Sequence, residues 1–313
     1  MPLFKIQHIT KYEYEKPVTE SVNEIRIFPY QSVSQEILQH DLIITDQPEV
    51  HVFNDYWGNK TGIFSIINAH RLLVIESKLL VRTTLPTELQ VNFDSSFEEL
   101  QNEVNGKLLL LELSRPDFIN KQSVLNSIAK EVYSPGDSVA GVVGKSCGYI
   151  FENFQYIKGI TTIETTVEEI LETRAGVCQD FAHVLLQLLR SIQIPCRYVS
   201  GYICPNKNGM RGEGATHAWV EAWVPGFGWA GIDPTNNVWV TNTHVKLAVG
   251  RNFTDCSPIK GTFRGPARQD LFVWVSVEYE NGQSFEETTR VRMDREAADE
   301  VALMDESFAA QQQ

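Results

Sequence analysis

The spacing of apolar residues changes twice along this chain, and those changes restrict what it can fold into. Up to residue 83 the period is two, the repeat of a strand with one buried face. Phe4, Ile6, His8, Thr10, Tyr12 and Tyr14 share one side. Short apolar runs follow at 25–27, 42–44, 50–53, 63–67 and 72–81. Between two of them, Asn54-Asp55-Tyr56-Trp57-Gly58-Asn59 carries the turn formers of a hairpin. Short strands with frequent turns predict an antiparallel β-sandwich domain over residues 1–84.

After a polar linker at 83–96 the period lengthens to that of a helix. Val124, Leu125, Ile128, Ala129 and Val132 form one stripe, broken by Pro135-Gly136. A helix is expected from about Ser138 to Phe154, and Thr166-Val167-Glu168-Glu169 is a capping box opening another that ends at Gly176. A third begins near Cys178, buries Phe181, Val184, Leu185, Leu188, Leu189 and Ile192, and closes at Pro195. The strand period then returns at 197–203, 217–224, 229–232 and 271–279. Helices followed by strands make an α+β order, with this second unit expected over 97–293 and an acidic, alanine-rich tail at 294–313.

A length of 313 residues suits about two domains. The net charge of −13 argues against nucleic acid or an anionic membrane as a bulk partner. No run approaches the roughly 18 apolar residues of a membrane span, and the alternating start, MPLFKIQHITKYEYEKP, lacks a signal-peptide core. The five cysteines, at 147, 178, 196, 204 and 256, include no CxxC. Free thiols and a cytoplasmic location are the expectation.

Cys178 stands at the start of a buried helix, in RAGVCQDFAH. It is open to three readings: small core residue, metal ligand or nucleophile. Unbonded N–H groups and the positive end of the helix dipole favour a thiolate there, and the same N–H groups can hold an oxyanion. A nucleophile needs a base. His183, five residues on, lies about 140° around the helix and reads as structural. His244 sits in a loop-like segment, VTNTHVK, as a weaker alternative. His217 opens the strand HAWVEAWV, and Asp233 ends the next, GWAGIDPTNN. A four-residue turn, Pro225 to Gly228, joins them, and the hairpin register decides whether His217 and Asp233 share a face. If they do, Asp233 can orient the imidazole. Trp219, Trp223, Trp229 and Trp239 either wall a groove for an extended chain or pack the hairpin. Cys196 and Cys204 have no matching ligand pair, and no DxDxDG or phosphate loop is present, so no metal or cofactor is expected.

The segments RAGVCQDFAHVLLQLLRSIQIPCRYVSGYI and ATHAWVEAWVPGFGWAGIDPTNN resemble the Cys, His and Asp blocks of the transglutaminase-like superfamily, specifically its bacterial cysteine-protease branch. The gaps, 39 residues from Cys178 to His217 and 16 from there to Asp233, are near family spacing. HITKYEYEKPV, RIFPY and DYWGN resemble the N-terminal β-domain of that branch, and VGRNFTDCSPIKGTFRG its C-terminal signature. Asn252-Phe253 replaces an expected Asp-Tyr, and Thr216 a common Ser. The resemblance implies a papain-like core with Cys178 as nucleophile, His217 as general base and acid, and Asp233 as orienting group. The first choice of oxyanion donor is the Cys178 N–H, and an aromatic or amide side chain near Phe154 to Tyr156 is the candidate for the second; Trp219, Trp229 and Tyr156 are assigned to substrate binding. The expected activity is that of a cysteine peptidase or amidase on a peptide or protein amide, through a thioester. The alternatives are a protein-glutamine transglutaminase, a binding or scaffold protein with a silent triad, and a metal site on Cys178 and His217.

Overall fold

The computed structural model describes residues 1–293 apart from 88, 90, 92–93, 163–164, 205–209, 212–215 and 280–283. The expected tail at 294–313 lies outside the described residues. Strands β1 (Leu3–Ile25), β2 (Gln35–Ile44), β3 (His51–Asn54), β4 (Lys60–Ile66) and β5 (His70–Thr83) come first. β1 is long because its alternation runs on through two pairings. Residues 3–13 pair with β5, and residues 21–25 pair with β4. The register shifts between Glu13 and Val18, where Pro17 has no N–H for a ladder. The two halves enclose Tyr14, Val18, Ile25, Phe64, Leu73 and Ile75 in one core. The predicted hairpin at 54–59 joins β3 to β4, its turn held by Asp55 Oδ1, which accepts from the N–H groups of Trp57 and Asn59, both at 2.9 Å.

Helices α1 (Phe97–Asn105), α2 (Leu108–Leu113), α3 (Gln122–Val132) and α4 (Val139–Asn153) follow. Next come β6 (Gln155–Tyr156), α5 (Val167–Thr173), β7 (Ala175–Gly176) and α6 (Cys178–Ser191). Ser138 and Thr166 cap α4 and α5, as their sequences predict. β8 (Cys196–Ile203), β9 (Thr216–Val224), β10 (Gly228–Asp233), β11 (Val238–Trp239) and β12 (His244–Gly250) make a second antiparallel sheet in the order β11-β10-β9-β8-β12. The apolar stripe of α6 packs on Ala218, Val220 and Ala222, whose short side chains let the helix approach. Each fully buried Leu or Phe of that stripe contributes about 1.5–3 kcal/mol.

The described residues end with α7 (Phe253–Cys256), β13 (Ile259–Arg264), β14 (Gln269–Tyr279) and β15 (Ser284–Met293). Sequence order attaches these last strands to the second unit, but β13 and β14 hydrogen-bond to β1, and β15 to β14. The N-terminal sheet is therefore completed by the far end of the chain.

The two sheets are joined along β12, an edge strand whose outer N–H and C=O groups need partners. Two side-chain amides supply them. Gln35 accepts from the Lys246 N–H and donates to the Lys246 carbonyl, both at 2.8 Å. Asn59 accepts from the Val249 N–H at 2.8 Å and donates to the Val249 carbonyl at 2.7 Å. Around them Phe4, Ile6 and Val81 pack with Tyr202, Val245 and Leu247. Asn59→Ala strands two buried backbone groups, each costing about 1–3 kcal/mol. Urea denaturation is expected to show a loss of about 2–6 kcal/mol; an unchanged midpoint refutes the clamp.

Candidate active site

The start of α6 explains the sequence around the thiol. Asp180 folds back so that Oδ2 accepts from the Val177 N–H at 2.8 Å and from the Thr161 hydroxyl at 2.7 Å. Residue 176 must then be glycine, because a Cβ there would lie 2.6 Å from that same oxygen. Cys178 is the first residue of the helix, where amides have no intrahelical acceptor. It is partly exposed, whereas Cys147, Cys196, Cys204 and Cys256 are buried. Parallel pairing of β6 with β7 sets Tyr156 opposite Gly176, two residues before the thiol. Burial first, then the charges of Cys178, Glu287 and Asp233, hold the Tyr156 hydroxyl above its usual pKa, so it remains a donor. Glu287, on β15, pairs with Lys158.

The hairpin register brings His217 and Asp233 together. Val224 pairs with Gly228, leaving a three-residue loop in place of the expected four. Gly228 enters the ladder with φ +94°, a backbone conformation suited to glycine. One residue fewer puts His217 and Asp233 on one face at a diagonal offset of two; a four-residue loop would separate them. His217 Nε2 lies 2.9 Å from Asp233 Oδ2, with both side chains fully buried. Asp233 Oδ1 accepts from the Thr235 N–H at 2.9 Å, and Oδ2 from the Asn236 amide at 2.6 Å.

Burial alone would raise the Asp233 pKa, but the His217 and His244 rings hold it well below the usual carboxylate range. Burial also opposes charge on His217, yet Asp233 and then Cys178 push that imidazole up to about 10. His217 Nδ1 closes no hydrogen bond of standard geometry within the described residues, although the Cys178 thiol acts on the ring by charge and by hydrogen bonding. Loose contacts of this kind are usual before substrate arrives.

The aromatic residues assigned to substrate binding separate. Tyr156 is at the site. Trp219 is buried and stacks on His217, with ring centroids 6.4 Å apart, so it backs the imidazole instead of walling a groove. Trp229 lies at the turn end of the hairpin, edge-on to Trp223 at 5.2 Å and beneath Arg197 at 4.3 Å, where it packs the hairpin. His183 is structural, accepting from the Phe253 N–H at 3.2 Å and stacking on Tyr198. A cavity of about 290 Å³ opens beside His183, Asp117 and Arg190, and neither Cys178, His217 nor Asp233 lines it.

The sequence reading passed over Asn236 and put His244, its weaker alternative base, in a loop. Asn236 stands three residues after Asp233, where an Asx donor back to the aspartate was a readable signal. His244 does not lie in a loop: it opens β12, is buried, and brings Nε2 to 3.4 Å from Asp233 Oδ2.

Comparison with known proteins adds independent findings. Residues 126–234 match the transglutaminase-like superfamily, and residues 4–82 match the bacterial transglutaminase-like N-terminal region. An uncharacterized protein of Mycobacterium leprae is 32% identical over 291 residues, covering 87% of this chain and 97% of that one. A protein-glutamine gamma-glutamyltransferase of Pseudomonas aeruginosa is 37% identical over 94 residues, 28% of this chain and 14% of its own length. The crystal structure of a proposed cysteine protease from Cytophaga hutchinsonii superposes with a TM-score of 0.69 at 23% identity, over 94% of this chain and 92% of that one. It shares the fold. No helix among the described residues is long and apolar enough to cross a membrane.

The raised His217 pKa fixes the sign of a pH effect. A cation favoured by folding contributes stability below its unfolded pKa of about 6.5 and loses it as pH climbs through the folded value. Wild type is expected to exceed His217→Gln most near pH 6, with the gap narrowing steadily as pH rises toward about 10. Urea denaturation across that range reads it; a gap that widens toward alkaline pH contradicts the charged ring.

Proposed function

The chain belongs to the transglutaminase-like superfamily, in the form that carries the bacterial N-terminal region, and on that premise we propose that it is a thiol enzyme acting on amides through Cys178, His217 and Asp233. The observation that carries this reading is the buried imidazole, 2.9 Å from the Asp233 carboxylate at Nε2 and with its pKa raised by Asp233 and then by Cys178.

In this mechanism the Cys178 thiolate attacks the amide carbonyl carbon. The carbonyl π electrons move onto oxygen, and the Cys178 N–H, with the Tyr156 hydroxyl, stabilises that oxyanion. Collapse expels the amine, which takes the Nδ1 proton of the His217 imidazolium as it leaves. A thioester remains. A water or amine then gives a proton to His217 as it attacks, and the restored thiolate departs. Asp233 stays ionised throughout and keeps Nε2–H directed at itself, which leaves Nδ1 for the chemistry.

Hydrolysis, as a cysteine peptidase or amidase on a peptide or protein, is the preferred outcome, following the likeness to the bacterial cysteine-protease branch. Transfer to an amine is the second reading, favoured by the similarity of part of the core to the Pseudomonas transferase. Water exclusion and amine access at the thioester decide between them.

The test is alkylation by iodoacetamide at pH 6, followed cysteine by cysteine by mass spectrometry. Exposure alone favours Cys178, so the informative comparison is with His217→Ala. Cys178 is expected to react at least about tenfold faster in wild type; equal rates reject the activated thiolate. Where the thiol is active, incubating a glutamine-containing protein with a labelled amine separates the outcomes. Release of free carboxylate or ammonia without label identifies hydrolysis, and label incorporation identifies transfer.

A further inference from the structure

His244 is held in a way that packing alone does not require. It opens β12 but reaches Asp233 on β10 past the intervening strands β8 and β9. The gap exists because Gly201, which pairs with both His217 and Lys246, has no side chain. A Cβ at that position would lie 2.7 Å from the Trp219 ring and 2.1 Å from the Val245 carbonyl oxygen. Trp219 fills the space, stacking on His217 and meeting His244 edge-on at 5.1 Å.

Both ring nitrogens of His244 have partners. Nδ1 is 3.0 Å from the Thr243 hydroxyl, and Nε2 is 3.4 Å from Asp233 Oδ2. A single neutral tautomer satisfies both contacts: the hydroxyl donates to Nδ1, and Nε2–H donates to the carboxylate. Among the described residues, the other donors to the Asp233 carboxylate, apart from His217, come from its own turn, at Thr235 and Asn236. They fix the carboxylate to that turn. His244 ties it to a separate strand.

We infer that His244 is a positioning residue, which braces the Asp233 carboxylate and the Trp219 ring so that His217 keeps both its carboxylate partner and its stacking surface. The inference rests on the catalytic reading above. It also requires His244 to stay uncharged, since a second cation would compete with His217 for the same oxygen. The groups facing the ring fit this: Asp233 from β10 and His217 from β9, with Lys246 further along β12 tied to Glu221. Burial first, and the charge of His217 in addition, hold the His244 pKa below its usual value against the opposing pull of Asp233.

The test uses His244→Leu, which fills the space without a donor, and His244→Gln, whose amide can donate to Asp233. The His217 pKa is followed by NMR of ring-labelled histidine, and Cys178 alkylation by iodoacetamide is measured from pH 5 to 9. In His244→Leu the His217 pKa is expected to fall by about 1 or more, and alkylation at pH 6 to slow about tenfold. His244→Gln is expected to restore most of both, at a folding stability no higher than that of His244→Leu, measured in urea. The inference is overturned if His217 titrates alike in wild type and His244→Leu, or if Gln is no better than Leu. The NMR titration needs no turnover. A wild-type Cys178 that proves unreactive therefore defeats the catalytic reading, while the titration still decides the role of His244.

Discussion

The outer edge of β12 is the constraint on which the arrangement depends. An edge strand buried under another sheet cannot leave its N–H and C=O groups bare, because each unpaired group costs as much as several ordinary contacts supply. Gln35 and Asn59 imitate a neighbouring strand, each offering an acceptor and a donor at the spacing of a backbone amide. Their geometry holds only if the N-terminal sheet sits in one place. The same placement seats Tyr30 and Trp57 against the cluster containing Trp219, behind His217. A β-unit that looks like a separate module in sequence is thus part of the wall supporting the imidazole.

Much of the site was legible from local signals. Gly176 and Cys178 mark a helix start, and α6 does begin at Cys178, though the Asp180 side chain that folds back on Val177 was not singled out. The α+β order and the capping box at Thr166 are also local properties, and they appear as read. What was not legible depends on distant parts of the chain. Whether His217 meets Asp233 turned on one loop residue, settled by Gly228 entering the ladder. His244 looked like part of a loop because Val-Thr-Asn-Thr precedes it, and its strand pairing is with β8, some forty residues earlier. Four tryptophans within 21 residues looked like one cluster. Strand alternation and hairpin length divide them, leaving Trp219 behind the histidine and Trp229 at the far turn.

The electrostatics of the site run counter to the surface of the molecule. The chain carries a net charge of −13, yet the fully buried carboxylate of Asp233 is surrounded by donors. Asp233 accepts from a backbone N–H, an amide and two imidazoles. Such crowding keeps the carboxylate ionised where burial would otherwise neutralise it. The charge is then available to one histidine while the other stays neutral, so two chemically identical rings acquire different roles from their neighbours alone.

The pairing of β1 with β14 has a consequence for how the molecule is made. Residues 4–14 bond to residues 269–279, the largest sequence separation in any ladder of the fold. On a ribosome adding about 5–20 residues per second, β1 emerges many seconds before its partner. During that interval β5 can cover one side of β1, but the other side stays open. An exposed strand of this length is a template for pairing with another nascent chain. Correct assembly therefore depends on keeping that edge occupied or solvated until the final strands arrive, and a chain truncated before residue 269 would carry the open edge permanently.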